Sequence, residues 1–516
     1  MPPTAHHSLG ALVRSLIRGR SIHHRCAPSF LNRNVRSMSN SENNLPPPRE
    51  DPISRTLRVL KGDIMSLKNK IIPTSAKLLD DTVMKGITPE HCDVVIIGGG
   101  VIGSSIAYWL KRKALRGLSV VVIEKEPTYS QASTVLSCGG LRHQFSLPEN
   151  IQMSLFASDF FRNINENLGI NLPGRDFENI DLQFTPYGYL FLATEEGAEQ
   201  LVKNSRLQVE LGAKNELLSS SKLKEKFPWL NVEGIELGCH GLEGEGWFDP
   251  WSLLQAFKKK AYNLGANYIT AEAVGFEFRA MPEMLTEGIE PGSYEALDRL
   301  LIKTQDGRIH AIKFAIAVIA AGPESGKVAA MARVGQGKGL LSLPLPVEPR
   351  KRFVYCYHCN DGPGLNAPLT IDPTGTYFRR EGLLGNYIGG RSPAEEEEPP
   401  VDTGLEDIDH SFFDSDVWPV LAKRIPAFEN IKVKSAWAGY YDHNYFDENG
   451  IIGPHPYYHN LYLACGFSGH GLQQAPAVGR AMMEMIIDGG FVSIDLSRMG
   501  FDRIVTREPL LEQNIV

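Results

Sequence analysis

Gly98, Gly100 and Gly103 are spaced as G-x-G-x-x-G between an apolar run, Val94 to Ile97, and a stretch that repeats Ile106, Ala107 and Leu110 at helical spacing. Such spacing binds a dinucleotide. The first glycine allows a tight turn, the second lets backbone approach a pyrophosphate, and the third lets helix pack on strand. Val101 and Ile102 lie between them, where the positive end of the helix meets the phosphates. A second apolar run, Val120 to Ile123, ends in Glu124, placed to accept both hydroxyls of an adenosine ribose. An acid there disfavours a 2′-phosphate, and hence NADP.

The far end of the chain selects the dinucleotide. Asn460 to Asp488 reads as a short strand, a second glycine loop (Gly466, Phe467, Ser468, Gly469, His470, Gly471), and a helix from Leu472 whose Ala475, Ala477 and Gly479 permit close packing. A helix N-terminus reached by such a loop stabilises the negative charge of a reduced flavin near N1 and C2=O. A nicotinamide domain has no need of it, so the expected cofactor is FAD. A third element, Ala317 to Gly322 (AVIAAG), is a buried strand entering a small-residue turn at Gly322.

Taken in order, Gly98 to Gly103, Asp249-Pro250 before a helix, Ala320-Ala321-Gly322 and the loop Gly466 to Gly471 resemble the D-amino-acid oxidase and sarcosine oxidase family of FAD enzymes, over about residues 92–490. Longer stretches resemble one mitochondrial branch of it: Tyr129 to Thr134, which includes Ser133 as a cofactor contact, Phe145 to Asn150, Gly246 to Trp251, Val347 to Arg352, Tyr377 to Gly382 and Ser435 to Asp442. That resemblance implies a flavoprotein needed for assembly of respiratory complex I, with complex I subunits or assembly intermediates as partners. It places the protein on the matrix side, where a peripheral position at the inner membrane is compatible, and leaves the small-molecule substrate open.

Departures from the family bear on chemistry. Members that hold FAD covalently use a His or a Cys at positions that match Leu136 and Ala438, so noncovalent FAD is expected. Amino-acid oxidases of the family place an Arg after W-A-G, because a planar guanidinium grips a carboxylate in bidentate fashion. Here Tyr440 and Tyr441 follow; Arg142, Arg379, Arg380 and Arg391 are other sources of a cation. His470 and Arg142 are the catalytic candidates. His470 either sits beside the flavin, where it keeps an amine neutral before hydride transfer, or is a loop histidine bonded to backbone. Arg142 either faces the flavin or lies at the surface. The nominal chemistry is hydride transfer from an amine-type substrate to FAD; the alternative is an assembly factor that FAD merely stabilises.

The elements that must position these groups alternate strand and helix with glycine punctuation, an α/β pattern. We expect a Rossmann-like FAD-binding domain (residues 91–145, 241–335 and 452–495) interleaved with an α+β substrate cap (146–240 and 336–451), then a C-terminal tail (496–516). Residues 1–40 hold six arginines and no acid, with Leu9, Leu12, Val13, Leu16 and Ile17 at helical spacing, which reads as a mitochondrial transit peptide; 41–90 reads as a Pro-rich linker. Without the first 40 residues the chain carries 47 basic against 60 acidic residues. So acidic a body argues against general binding of nucleic acid. The apolar window Val94 to Leu110 contains four glycines and reads as strand, turn and helix rather than a membrane span. Seven scattered cysteines are expected as free thiols, and no metal site is expected: Cys356 and Cys359 fall in a strand-like run with no second pair. Met281 to Arg299 reads as a surface insertion, and Glu395 to Glu398 as a solvated charged loop.

Overall fold

A computed structural model describes residues 88–513 apart from residues 115–116, 171–178 and 286–288. The proposed transit peptide and nearly all of the linker lie outside the described residues. Two sheets dominate. The first has seven strands in the order His91–Ile97, Val120–Glu124, Asn267–Ala280, Glu295–Thr304, Ile309–Ile319, Leu461–Cys465 and Ile451–Pro454, and its first strand also pairs with Ile309–Ile319. Val120–Glu124, His91–Ile97, Ile309–Ile319 and Leu461–Cys465 run parallel side by side. Their near-continuous Val, Ile and Ala runs are buried on both faces, as a covered parallel sheet demands. The α/β reading and the Rossmann-like architecture hold.

Helix Val101–Ala114 covers one face, and Gly471–Met483 packs against it. The approach is close because the second helix is small there: a Cβ at Gly479 would stand 2.2 Å from the Ser105 hydroxyl, which donates to the Ala475 carbonyl at 2.7 Å. Helix Pro250–Asn263 joins them, started by Pro250 at its first position and capped by Asp249, which accepts from the amides of Trp251 and Ser252. No helix among the described residues is long and apolar enough to cross a membrane.

The second sheet has eight strands, in the order Lys432–Asn444, Val347–His358, Asn386–Gly390, Tyr377–Glu381, Leu369–Ile371, Tyr189–Ala193, Leu237–Gly241 and Asn215–Ser219. One face buries Phe353, Tyr355, Tyr357, Phe378, Tyr387 and Phe428.

Four expectations change. Helix Pro148–Arg162, assigned to the cap, packs on Gly471–Met483 of the first layer. The insertion Met281 to Arg299 is shorter than expected: from Glu295 on, it is already the strand that pairs antiparallel with Asn267–Ala280. Glu398 is not solvated; it is ion-paired with Arg352. The C-terminal tail is packed: Met499 and Phe501 are buried, and Arg503 grips Asp447. In each case a contact distant in sequence decides the outcome, which local pattern does not carry. Cys356 ends up half-buried and Cys359 buried, both as free thiols.

Candidate functional site

The two glycine loops meet at one cavity of about 420 Å³ between the sheets. Of the residues expected to hold the cofactor, Gly98, Gly100, Val101, Ile102, Glu124, Ser133, Gly322, Phe467, Ser468, Gly469, Gly471 and Leu472 line it, as do both catalytic candidates, Arg142 and His470. Gly103 and Gly466 do not. Gly103 lies where a Cβ would stand 1.9 Å from the Gly98 carbonyl oxygen, and Gly466 (φ +75°) sits against Val347. Both shape the loops from behind.

The dinucleotide loop fits a diphosphate. Gly98 adopts φ +105°, and a Cβ there would be 2.2 Å from the Ala320 carbonyl oxygen, so the AVIAAG turn seen in sequence is what crowds it. Gly100 opens on the cavity, where an added Cβ would meet only the Thr134 hydroxyl, at 3.4 Å. That hydroxyl accepts from the Val101 amide, and Ser133 donates to the Tyr440 carbonyl, so Tyr129 to Thr134 is laid across the helix N-terminus. The Glu124 carboxylate accepts from the Gly99 and Glu126 amides, both at 2.9 Å. Burial raises its pKa, and those amides oppose the rise.

The second loop is held by Asp442. Its carboxylate accepts from the Gly466 amide at 2.7 Å and the Phe467 amide at 3.1 Å, and its carbonyl accepts from Ser468. Burial lifts that carboxyl to about 6 despite these bonds. The aspartate stood inside a resemblance-bearing stretch of the sequence, yet nothing local tied it to a loop 24 residues on.

The catalytic candidates bond to each other. Arg142 donates through Nη2 to His470 Nε2 at 2.8 Å, and its guanidinium lies 4.3 Å from the centre of the Phe145 ring and 5.0 Å from that of Phe191. Arg142 is buried, which overturns the surface reading. Burial and the adjacent guanidinium drive the His470 pKa down to about 3. A neutral imidazole whose lone pair is already engaged is no proton acceptor for an amine near pH 7. His470 is therefore a positioning residue for Arg142.

Glu245, missed in the sequence, underlies this region. Fully buried, it accepts from the His143 amide at 2.8 Å, Gln144 Nε2 at 2.9 Å and the Tyr189 amide at 3.3 Å, and burial pushes its pKa up to about 7. Because the folded value lies above the unfolded one, the stability this group contributes is complete below about pH 4.5 and is lost as pH rises through about 7. Glu245→Gln removes that titration. The stability of wild type minus that of the variant in urea unfolding should therefore fall from pH 5 to pH 8; a difference constant with pH would contradict the assignment.

Of the cations named from sequence, Arg379 donates to the Cys138 carbonyl and to Glu381, and Arg380 to the carbonyls of Pro363 and Leu383. Arg391 borders the cavity. Arg352, not singled out before, lines it too, beside Tyr441. Leu136 lines the cavity and Ala438 packs with Phe353 and Tyr355; neither offers a nucleophile.

Comparison with known proteins agrees with this geometry. The family model described as FAD dependent oxidoreductase matches residues 93–485. The chain is 50% identical to FAD-dependent oxidoreductase domain-containing protein 1 of Xenopus laevis, over 91% of this chain and 96% of that protein, and 47% identical to the Drosophila melanogaster homolog, over 90% and 92%. Among solved structures, L-proline dehydrogenase from P. horikoshii superposes with a TM-score of 0.66 at 26% identity, over 82% of this chain and all of that one. Glycine oxidase from Geobacillus kaustophilus shares the fold, with a TM-score of 0.61 at 20% identity, over 80% and 98%. The chain thus belongs to the FAD dependent oxidoreductase family, in the branch shared with these frog and fly proteins, and its cofactor is FAD.

Proposed function

We propose that the protein is a mitochondrial flavoprotein that oxidises an amine-type substrate at this cavity and is required for assembly of respiratory complex I. One observation carries the redox part: both glycine loops, from opposite ends of the chain, open on a single cavity whose second loop brings a helix N-terminus and the Arg142–His470 pair together. Gly98 to Gly103 would hold the diphosphate, Glu124 the ribose, and Gly466 to Leu472 the ring. FAD, when bound, supplies the hydride acceptor. The chain supplies the rest. The N-terminus of helix Gly471–Met483 and the Arg142 cation favour negative charge at that end of the cavity. Leu369, Ile371, Val354 and Tyr377 make its substrate wall largely apolar, which excludes water. With His470 bonded to Arg142, the amine must arrive with its own lone pair free.

The mitochondrial address rests on the arginine-rich, acid-free first 40 residues, and the complex I role on the resemblance of the long stretches from Tyr129 to Asp442. A second reading, an assembly factor in which FAD only stabilises the fold, is favoured by the low pKa of His470, which removes that residue as a general base beside the ring. The two part on His470→Ala, which leaves Gly98 to Gly103 untouched. In cells lacking the native protein, the variant should retain flavin yet restore little complex I, because Arg142 loses its partner beside the ring. Full restoration of complex I by flavin-loaded His470→Ala would favour the second reading instead.

A further inference from the structure

Arg352 projects from strand Val347–His358 onto the cavity wall beside Tyr441 of the adjoining strand Lys432–Asn444, and Tyr441 follows W-A-G, where the resemblance implies a carboxylate-binding arginine in amino-acid oxidases. The wall therefore has a guanidinium, supplied by the neighbouring strand. Its fork is already filled. Arg352 Nη1 and Nη2 each meet one Glu398 carboxylate oxygen at 2.7 Å, Nη2 also donates to the Tyr441 hydroxyl at 2.9 Å, and Nη1 to the Lys351 carbonyl at 2.9 Å. Arg350 adds a second cation 3.5 Å from Glu398. Both side chains of the central pair are largely buried, at 19% and 17% exposure.

We infer that Glu398 is a built-in counterion that closes the flavin cavity to carboxylates, and that the amine oxidised here carries no carboxylate beside its reacting carbon. With Nη1 and Nη2 both engaged by Glu398, Tyr441 and the Lys351 carbonyl, only the buried, unpartnered Nε is left, so a second acid cannot be gripped in bidentate fashion. Glu398 does not itself line the cavity, but its charge, 2.7 Å from Arg352, neutralises the cation that a carboxylate brought to this wall would meet. Displacing Glu398 would leave that charge without its partner, at a cost that a weakly held ligand cannot meet. The inference rests on the reading that amines are oxidised in this cavity, but its test reads binding rather than turnover, so the two can fail separately.

The FAD-loaded protein is titrated with benzoate, and with benzyl alcohol as its uncharged counterpart, while perturbation of the flavin absorption band is followed. Wild type should show no saturable response to benzoate. Glu398→Ala should bind it at least about tenfold more tightly, the least expected of one charge-assisted fork, with benzyl alcohol unchanged, and Arg352→Met added to Glu398→Ala should abolish the gain. Glu398→Gln, which removes the charge but keeps an acceptor, guards against loss of flavin in the alanine variant and should gain in the same direction. Three results would overturn the inference: benzoate binding to wild type as tight as to the variants, including binding lost in Arg391→Met; a gain that survives Arg352→Met; or no gain in either Glu398 variant.

Discussion

Gly100→Val should purify as a folded protein with less than about a tenth of the wild-type flavin, because its branched side chain fills the space a pyrophosphate takes. The structure makes this variant a cleaner probe than Gly98→Glu. At Gly98 a side chain meets the Ala320 carbonyl oxygen at 2.2 Å with φ +105°, so strain and clash act on the loop itself, and flavin loss there mixes with misfolding. At Gly100 a Cβ reaches only the Thr134 hydroxyl at 3.4 Å, an ordinary contact, so Gly100→Ala should weaken flavin binding without abolishing it. Losing a cofactor held at a thousand times its dissociation constant removes about 4 kcal/mol of stabilisation. The valine variant should therefore melt at the temperature of the wild-type apoprotein. Full flavin occupancy in Gly100→Val would remove the diphosphate from this loop.

Asp447→Ala should destabilise the protein by about 3–5 kcal/mol, the cost of leaving a buried charge without its counterion. Asp447 and Arg503 are 3% and 6% exposed, and the guanidinium forks onto the carboxylate at 2.6 and 2.9 Å. The same carboxylate accepts from Asn444 Nδ2 and from the amides of Asn449 and Leu510. It thereby ties the C-terminal segment to the turn that precedes strand Ile451–Pro454, the partner of the strand leading into the second glycine loop. Arg503→Met combined with Asp447→Leu removes both charges and should recover much of the loss. Urea unfolding of both variants beside wild type measures this; a double variant no better than Asp447→Ala would show that the bonds to Asn449 and Leu510, and not the charge pair, hold the segment.

The parts legible in the sequence are those whose function is written over a few consecutive residues. Gly98 to Gly103 and Gly466 to Gly471 had to be loops between strand and helix, since no other placement uses their glycines. Val120 to Ile123 could end in Glu124 beside the first loop only within a parallel βαβ unit. Ala475 and Gly479 pointed to close helix packing, which Ser105 provides. Partnerships across the chain were not legible: Arg352 with Glu398 at a separation of 46 residues, Asp442 with Gly466 at 24, and His143 with Glu245 at 102. Each is a charged or polar group whose meaning lies in its partner, and a run of glutamates reads as solvated until one of them is seen paired. His470 shows the same limit. Its residue type suggested a base, and only the Arg142 guanidinium 2.8 Å away shows that its lone pair is engaged.

The central claim, that the cavity oxidises an amine by passing hydride to FAD, meets its most direct test in the anaerobic spectrum of the purified protein. A panel of amines with and without an α-carboxylate is added to the FAD-loaded wild type, and bleaching of the oxidised flavin band is followed. An amine lacking the carboxylate should bleach the band, and Arg142→Met with full flavin should slow that bleaching at least about tenfold, as loss of a charge-stabilising group at the reacting end requires. Flavin that stays oxidised with every amine, yet is reduced by dithionite, would contradict the claim.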